Sequence, residues 1–123
     1  MQDWEYNELI ECINETFNDY KDKGYSNLDA GSYTIEDYWY NKEDQNVIEN
    51  LIIITNILKI LLEDNNRVFI GTIDLFEKIL SIVSFESIKN VLTEDEMKNL
   101  ECDIRIVKSL IENANIEYNS ESK

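Results

Sequence analysis

Three observations predict an all-α fold for this chain. It contains no proline and only three glycines (Gly24, Gly31 and Gly71), so few positions interrupt regular structure. Apolar residues recur at spacings of three and four along most of its length. The tetrapeptide TEDE at residues 93–96 is a capping box, with Thr93 followed three positions later by Glu96, and marks a helix start. Together they predict a compact single-domain bundle of four principal helices. A short extra helix and an acidic aromatic connection between helices one and two complete it. With 123 residues, 43% of them hydrophobic, the chain has enough apolar material for one core. The domain is expected over residues 1–118, with 119–123 as a polar tail.

The first helix is expected over residues 3–23, stopped by Gly24. At about 100° per residue, Tyr6, Leu9, Ile10, Ile13, Phe17 and Tyr20 share one face, and Glu8, Glu11, Glu15, Asp19 and Asp22 the opposite one. Residues 24–43 read as irregular, with one short helix at 34–40. The second helix, 44–63, is apolar around most of its circumference, with Glu49, Asn56, Lys59 and Glu63 as a narrow polar strip, which places it centrally. Its β-branched run LIIIT, 51–55, also fits a buried strand; length and the lack of flanking turn residues favour a helix. Ile73, Phe76, Leu80 and Val83 mark a third helix, and residues 85–92 a short one preceded by Ser84. After the capping box, Met97, Leu100, Ile104, Val107 and Ile111 line a last helix ending near residue 115.

Composition excludes several function classes. The 11 basic and 26 acidic residues leave a formal charge of −15, which repels nucleic acid phosphates and anionic membranes and favours a cationic partner. The longest apolar run, residues 51–62, carries Asn56 and Lys59 and falls short of the ~20 residues a bilayer requires. No histidine occurs, which removes Ser-His and Cys-His nucleophile pairs and the usual zinc ligand. Acid pairs such as Glu8/Glu11 and Glu94/Glu96 have the density expected by chance. The reading is a binding protein and not an enzyme, without cofactor or metal. Cys12 and Cys102 read as reduced, partly buried thiols. No basic and apolar leader opens the chain, so a cytoplasmic location is expected.

Charge and rings are unevenly spread. Residues 1–44 hold twelve acids against Lys21, Lys23 and Lys42, a net of −9; the remaining 79 residues carry −6. The same first third holds nine of the 13 aromatic residues, including both tryptophans. The five acids on one face of the first helix repel one another, and a face shaped only by stability would intersperse lysines. Trp4 projects near this edge, as an N-terminal staple or as an anchor for a partner. In the segment SYTIEDYWYNKED, residues 32–44, Ile35 and one of Tyr38 or Trp39 are expected to face inward. The consecutive rings Tyr38, Trp39 and Tyr40 cannot all enter one core, so at least one lies near the surface beside Glu36, Asp37, Glu43 and Asp44. Such neighbours are the usual composition of an interface hot spot. The candidate partner-binding set is therefore Tyr33, Glu36, Asp37, Tyr38, Trp39, Tyr40, Glu43 and Asp44, with Glu8, Glu11, Glu15, Asp19 and Asp22.

In size, all-α reading, acidity and the acid-aromatic segment YTIEDYWYNKED, the chain resembles the small acidic immunity proteins of bacterial toxin systems. Such toxins are commonly nucleases with basic clefts. The resemblance implies a cytoplasmic protein that occludes such a cleft in a one-to-one complex, its carboxylates standing where substrate phosphates bind. A nucleic-acid-mimicking regulator of a DNA- or RNA-binding protein is the alternative, with more evenly spaced charge and less need for aromatics. A helical adaptor, with the apolar second helix in an oligomer seam, is a further one.

Overall fold

The structure, a computed structural model, describes residues 3–40, 47–64 and 67–117. Among these residues six helices and two very short strands follow in order. They are α1 (Asp3–Asp22), α2 (Asn27–Tyr40), α3 (Val47–Asp64), β1 (Arg67–Phe69), α4 (Ile70–Ile82), α5 (Phe85–Val91), α6 (Glu94–Ile111) and β2 (Asn115–Glu117). The expected all-α class holds. The polar tail 119–123 lies outside the described residues.

Helix α3 is the axis. Leu51, Ile52, Ile53, Ile54, Ile57, Leu58, Leu61 and Leu62 are all buried, and each contributes roughly 1.5–3 kcal/mol relative to an exposed side chain. A helix apolar on nearly all sides needs neighbours on nearly all sides, and α1, α2, α4, α5 and α6 all pack against it. Residues 51–55 are helical, which decides between the two readings of that run. The polar strip survives as a narrow exit from the core: Asn56 Nδ2 donates back to the Ile52 carbonyl at 2.9 Å, and Lys59 Nζ pairs with Asp103 Oδ1 of α6 at 3.0 Å. That pairing raises the Lys59 pKa above its ordinary value, against the lowering effect of its partial burial.

The first correction concerns residues 24–43, expected to be irregular with a short helix at 34–40. They hold a full helix, α2, beginning at Asn27. Its buried face is Asn27, Ala30, Gly31, Thr34 and Ile35, with half-buried Tyr38. With Leu28, also buried, only two buried residues of this face, Leu28 and Ile35, are bulky and apolar; the other four are small or polar, so the helical period is only weakly marked. Smallness is what the site requires: a Cβ on Gly31 would stand 3.2 Å from both Ile57 Cγ2 and Leu61 Cδ1. The Thr34 hydroxyl satisfies itself by donating to the Ala30 carbonyl at 2.7 Å. At the start of α2, Asn27 Nδ2 donates to Asp64 Oδ2 at 2.5 Å, tying this end to the last turn of α3.

The second correction is the sheet. The region after EDNNR was expected to enter a helix directly, and the last helix to run to about residue 115. Instead β1 and β2 pair in parallel, with Arg67 opposite Asn115, Val68 opposite Ile116 and Phe69 opposite Glu117. Three residues are too few to display an alternating pattern in sequence. The strand nevertheless buries Val68 completely, and the connection through α4, α5 and α6 is the long crossover that parallel strands require.

The capping box forms as expected: the Thr93 hydroxyl accepts from the Glu96 amide at 3.2 Å, and Glu96 Oε1 accepts from the Thr93 amide at 3.0 Å. Glu96 is nonetheless 3% exposed, so the cap is built into the packed side of α6. Cys12 and Cys102 are free and, contrary to the expected partial burial, exposed.

Candidate partner-binding face on the first helical hairpin

Helix α1 ends in a Schellman motif. Gly24 takes φ +101°, a conformation that glycine adopts without a Cβ penalty. Its amide bonds the Lys21 carbonyl at 2.9 Å, and the Tyr25 amide bonds the Tyr20 carbonyl at 3.2 Å. This reversal has a side-chain consequence. It lays the Tyr25 ring on the Tyr20 ring, edge to face with centroids 5.8 Å apart.

The chain then returns as α2, antiparallel to α1, and supplies a third ring. Tyr33 lies 5.4 Å from Tyr20 and 5.0 Å from Tyr25, centroid to centroid. One turn on, Asp37 accepts a 2.6 Å hydrogen bond from the Tyr20 hydroxyl. This bond, then burial, then the negative charge of Asp37 itself raise the Tyr20 pKa from 10.0 to about 12. Further along the seam the Tyr38 hydroxyl meets Thr16 Oγ1 at 3.3 Å. Burial raises the Tyr38 pKa, and the Thr16 hydrogen bond partly opposes it.

The hairpin therefore presents a coherent outer face. Around α1, Cys12, Thr16 and Tyr20 fall on the flank toward α2. Next around the helix come Glu8, Glu11, Glu15, Asp19 and Asp22, all exposed; Asn7, Asn14, Asn18 and Lys21 occupy the far flank. The acids of α1 are thus displaced toward α2, not centred on the back of the helix. On α2, Asp29, Tyr33 and Glu36 are exposed and Asp37 is half-buried, on the side that touches Tyr20. Among the described residues, Lys23 brings a cation to this cluster, its Nζ standing 5.3 Å from the Tyr20 centroid.

The structure places the sequence candidates as follows. Tyr33 (38% exposed) and Glu36 are at the surface, and Asp37 is bound to Tyr20. Ile35 faces the core and Tyr38 turns into the α1–α2 seam, as expected of Ile35 and of one of Tyr38 or Trp39. Trp39 and Tyr40 belong to α2 by backbone, but their side chains, like that of Trp4, lie outside the description. Glu43 and Asp44 lie outside the described residues.

Two ring-cluster members escaped the sequence reading. Tyr20 was assigned to the core face, yet its ring is half-buried at the edge. Tyr25, 40% exposed, was passed over as loop. The signal was present: an aromatic residue four before the stop glycine and another just after it are the two positions a Schellman turn brings into contact.

Among the described residues no three His, Cys, Asp or Glu side chains gather as a metal site would, and no helix is long and apolar enough to cross a membrane. What the hairpin offers chemically is recognition of cations through exposed rings and clustered carboxylates. In comparisons with known proteins, the model of the family described as Immunity protein Imm3 matches residues 2–122. No curated protein and no solved structure gave a match.

Proposed function

From the premise that the chain belongs to the Imm3 family of immunity proteins, we propose that it neutralises a cationic toxin domain, a nuclease, by covering its basic cleft with the outer face of the α1–α2 hairpin. The partner carries the positive charge, this chain the negative, and inhibition is by occlusion without catalysis by this chain. The complex is one-to-one and forms in the cytoplasm of the cell that must be protected.

The observation that carries this reading is the convergence of five exposed acids of α1 with the exposed rings and acids of α2 on adjoining flanks of one hairpin. A purely electrostatic mimic of nucleic acid needs only the charge. Partly exposed tyrosines set among carboxylates suit a protein surface, where rings supply contact area at low entropic cost and carboxylates steer encounter. This favours a protein target held through its own side chains.

The test is a titration with the cognate toxin domain. A one-to-one complex whose association slows with added salt is expected. Replacing Glu36, Asp37 and Asp44 by lysine should slow association by about tenfold or more, with helicity unchanged by circular dichroism. Unchanged affinity in that variant, together with loss on altering the outer face of α6, would move the interface to the other side of the molecule.

A further inference from the structure

The tyrosine cluster at the end of the hairpin is more specific than an acidic surface requires. Tyr25 and Tyr33 are two of the three exposed large hydrophobic side chains among the described residues, at 40% and 38%. They pack on each other and on Tyr20, which in turn packs against the core. A structural lid would turn these rings inward, toward the apolar side of the hairpin. Here ring surface stays in contact with water, and carboxylates stand beside it: Glu36 and Asp37 lie three and four residues beyond Tyr33, on the same side of α2. Asp37 engages the Tyr20 hydroxyl through Oδ2, leaving Oδ1 as an acceptor. The cluster already attracts one cation, since the Lys23 ammonium rests over the Tyr20 ring.

We propose that Tyr25 and Tyr33, with the carboxylates of Glu36 and Asp37, form an arginine-anchoring site for a basic protein partner. The guanidinium lies on exposed ring surface and donates to the carboxylates at its edge. The inference rests on the partner reading above and narrows it to one side-chain chemistry. Arginine fits better than lysine for three physical reasons. Its cation is planar and stacks on a ring face, its fork of N–H donors matches a carboxylate, and it is less strongly hydrated than an ammonium. Lys23, held by Tyr20 beside the site, is the compact cation that the same electrostatics already accommodates. It leaves the neighbouring rings open for a flat one.

The test uses the intact protein and three acetylated, amidated pentapeptides of glycine with two arginines, two lysines or two citrullines. Ring resonances of Tyr25 and Tyr33 are followed by 1H–13C NMR. The arginine peptide should shift both rings and bind about threefold or more tighter than the lysine peptide. The citrulline peptide, planar but uncharged, should leave the rings unmoved. Tyr25→Leu/Tyr33→Leu should abolish the arginine preference while keeping a weak, salt-sensitive attraction common to both cations. Tyr25→Phe/Tyr33→Phe, which keeps the ring faces, should retain the preference. Equal binding of arginine and lysine peptides, no ring shifts at all, or a preference that survives the leucine pair overturns the anchor.

Titration with the cognate toxin domain separates this inference from the one it rests on. Full affinity of the leucine pair for the toxin, with loss in the acid-reversed variant, sinks the anchor and leaves the occlusion reading standing. An arginine preference in the peptides with no toxin binding by the native chain does the reverse.

Discussion

The Tyr20 hydroxyl donates a 2.6 Å hydrogen bond to Asp37 Oδ2 and so fastens the last turn of α1 to the last turn of α2. The bond has a sign in pH. It favours the protonated phenol, raising Tyr20 from 10.0 to about 12, so its contribution is fully present below pH 10 and is lost as pH rises through about 12. Tyr6 is also raised to about 12, in its case first by burial and then by the nearby charges of Asp103 and Glu96. Absorbance titration at the tyrosinate band should therefore show late-titrating phenols with Tyr6 and Tyr20 among them, Tyr20→Phe and Tyr6→Phe each removing one. Tyr20→Phe should cost about 0.5–1 kcal/mol at neutral pH, below the usual range for a charged acceptor because solvent screens the half-exposed pair. A Tyr20 phenol titrating near 10 in the native protein would remove this link between the helices.

The three glycines should respond to alanine in different directions, because each is present for a different reason. Gly24 has open space around it but φ +101°, so Gly24→Ala should cost about 1–2 kcal/mol in backbone strain. Gly71 sits in the first turn of α4 with nothing within 4 Å of an added Cβ, and Gly71→Ala should stabilise by up to about 0.5 kcal/mol through helix propensity, less than the helix-interior difference. At Gly31 the same propensity gain meets Ile57 Cγ2, a branched methyl of a fully buried side chain that cannot swing away. A net loss of about 1 kcal/mol follows. Urea midpoints at constant slope measure all three, and a stabilising Gly31→Ala would mean that α2 and α3 are less tightly apposed than a 3.2 Å approach to Ile57 and Leu61 requires.

Glu15 separates a solvated face from a functional one. It has Glu11 four residues before it and Asp19 four residues after, all exposed. Glu15→Lys converts two repulsions into two i, i+4 attractions, so the free protein should gain about 0.5–1 kcal/mol at low salt, fading as salt is added. The same change should slow association with the toxin domain. A variant that is both more stable and fully protective would reduce the stripe to a solvated surface.

Much of this was legible in the linear chain. The acid and core faces of α1, the central position of α3 and the capping box of α6 each follow from side chains whose character matches their surroundings. Bulky apolar groups at helical period, acids at the complementary period and a local hydrogen-bonding signature need no partner in order to be recognised. Helix α2 was less legible, because beside Leu28 and Ile35 its buried face is built from Asn27, Ala30, Gly31 and Thr34. Smallness registers as a virtue only when the opposing Ile57 and Leu61 are known. The strand pair hid for a related reason: residues 67–69 and 115–117 form a sheet only by meeting.

The candidate site divides along the same line. That the first third of the chain concentrates negative charge and aromatic rings is a property of sequence, and it pointed to a cationic partner before any fold was known. Which rings face water was decided by tertiary structure. The left-handed turn at Gly24 folds Tyr25 onto Tyr20, and the antiparallel return of α2 adds Tyr33 and Asp37 to the same corner. Tyr38 turns into the seam against Thr16 instead. Composition sets the chemistry a surface has available; the direction in which each helix returns sets which side chains share it.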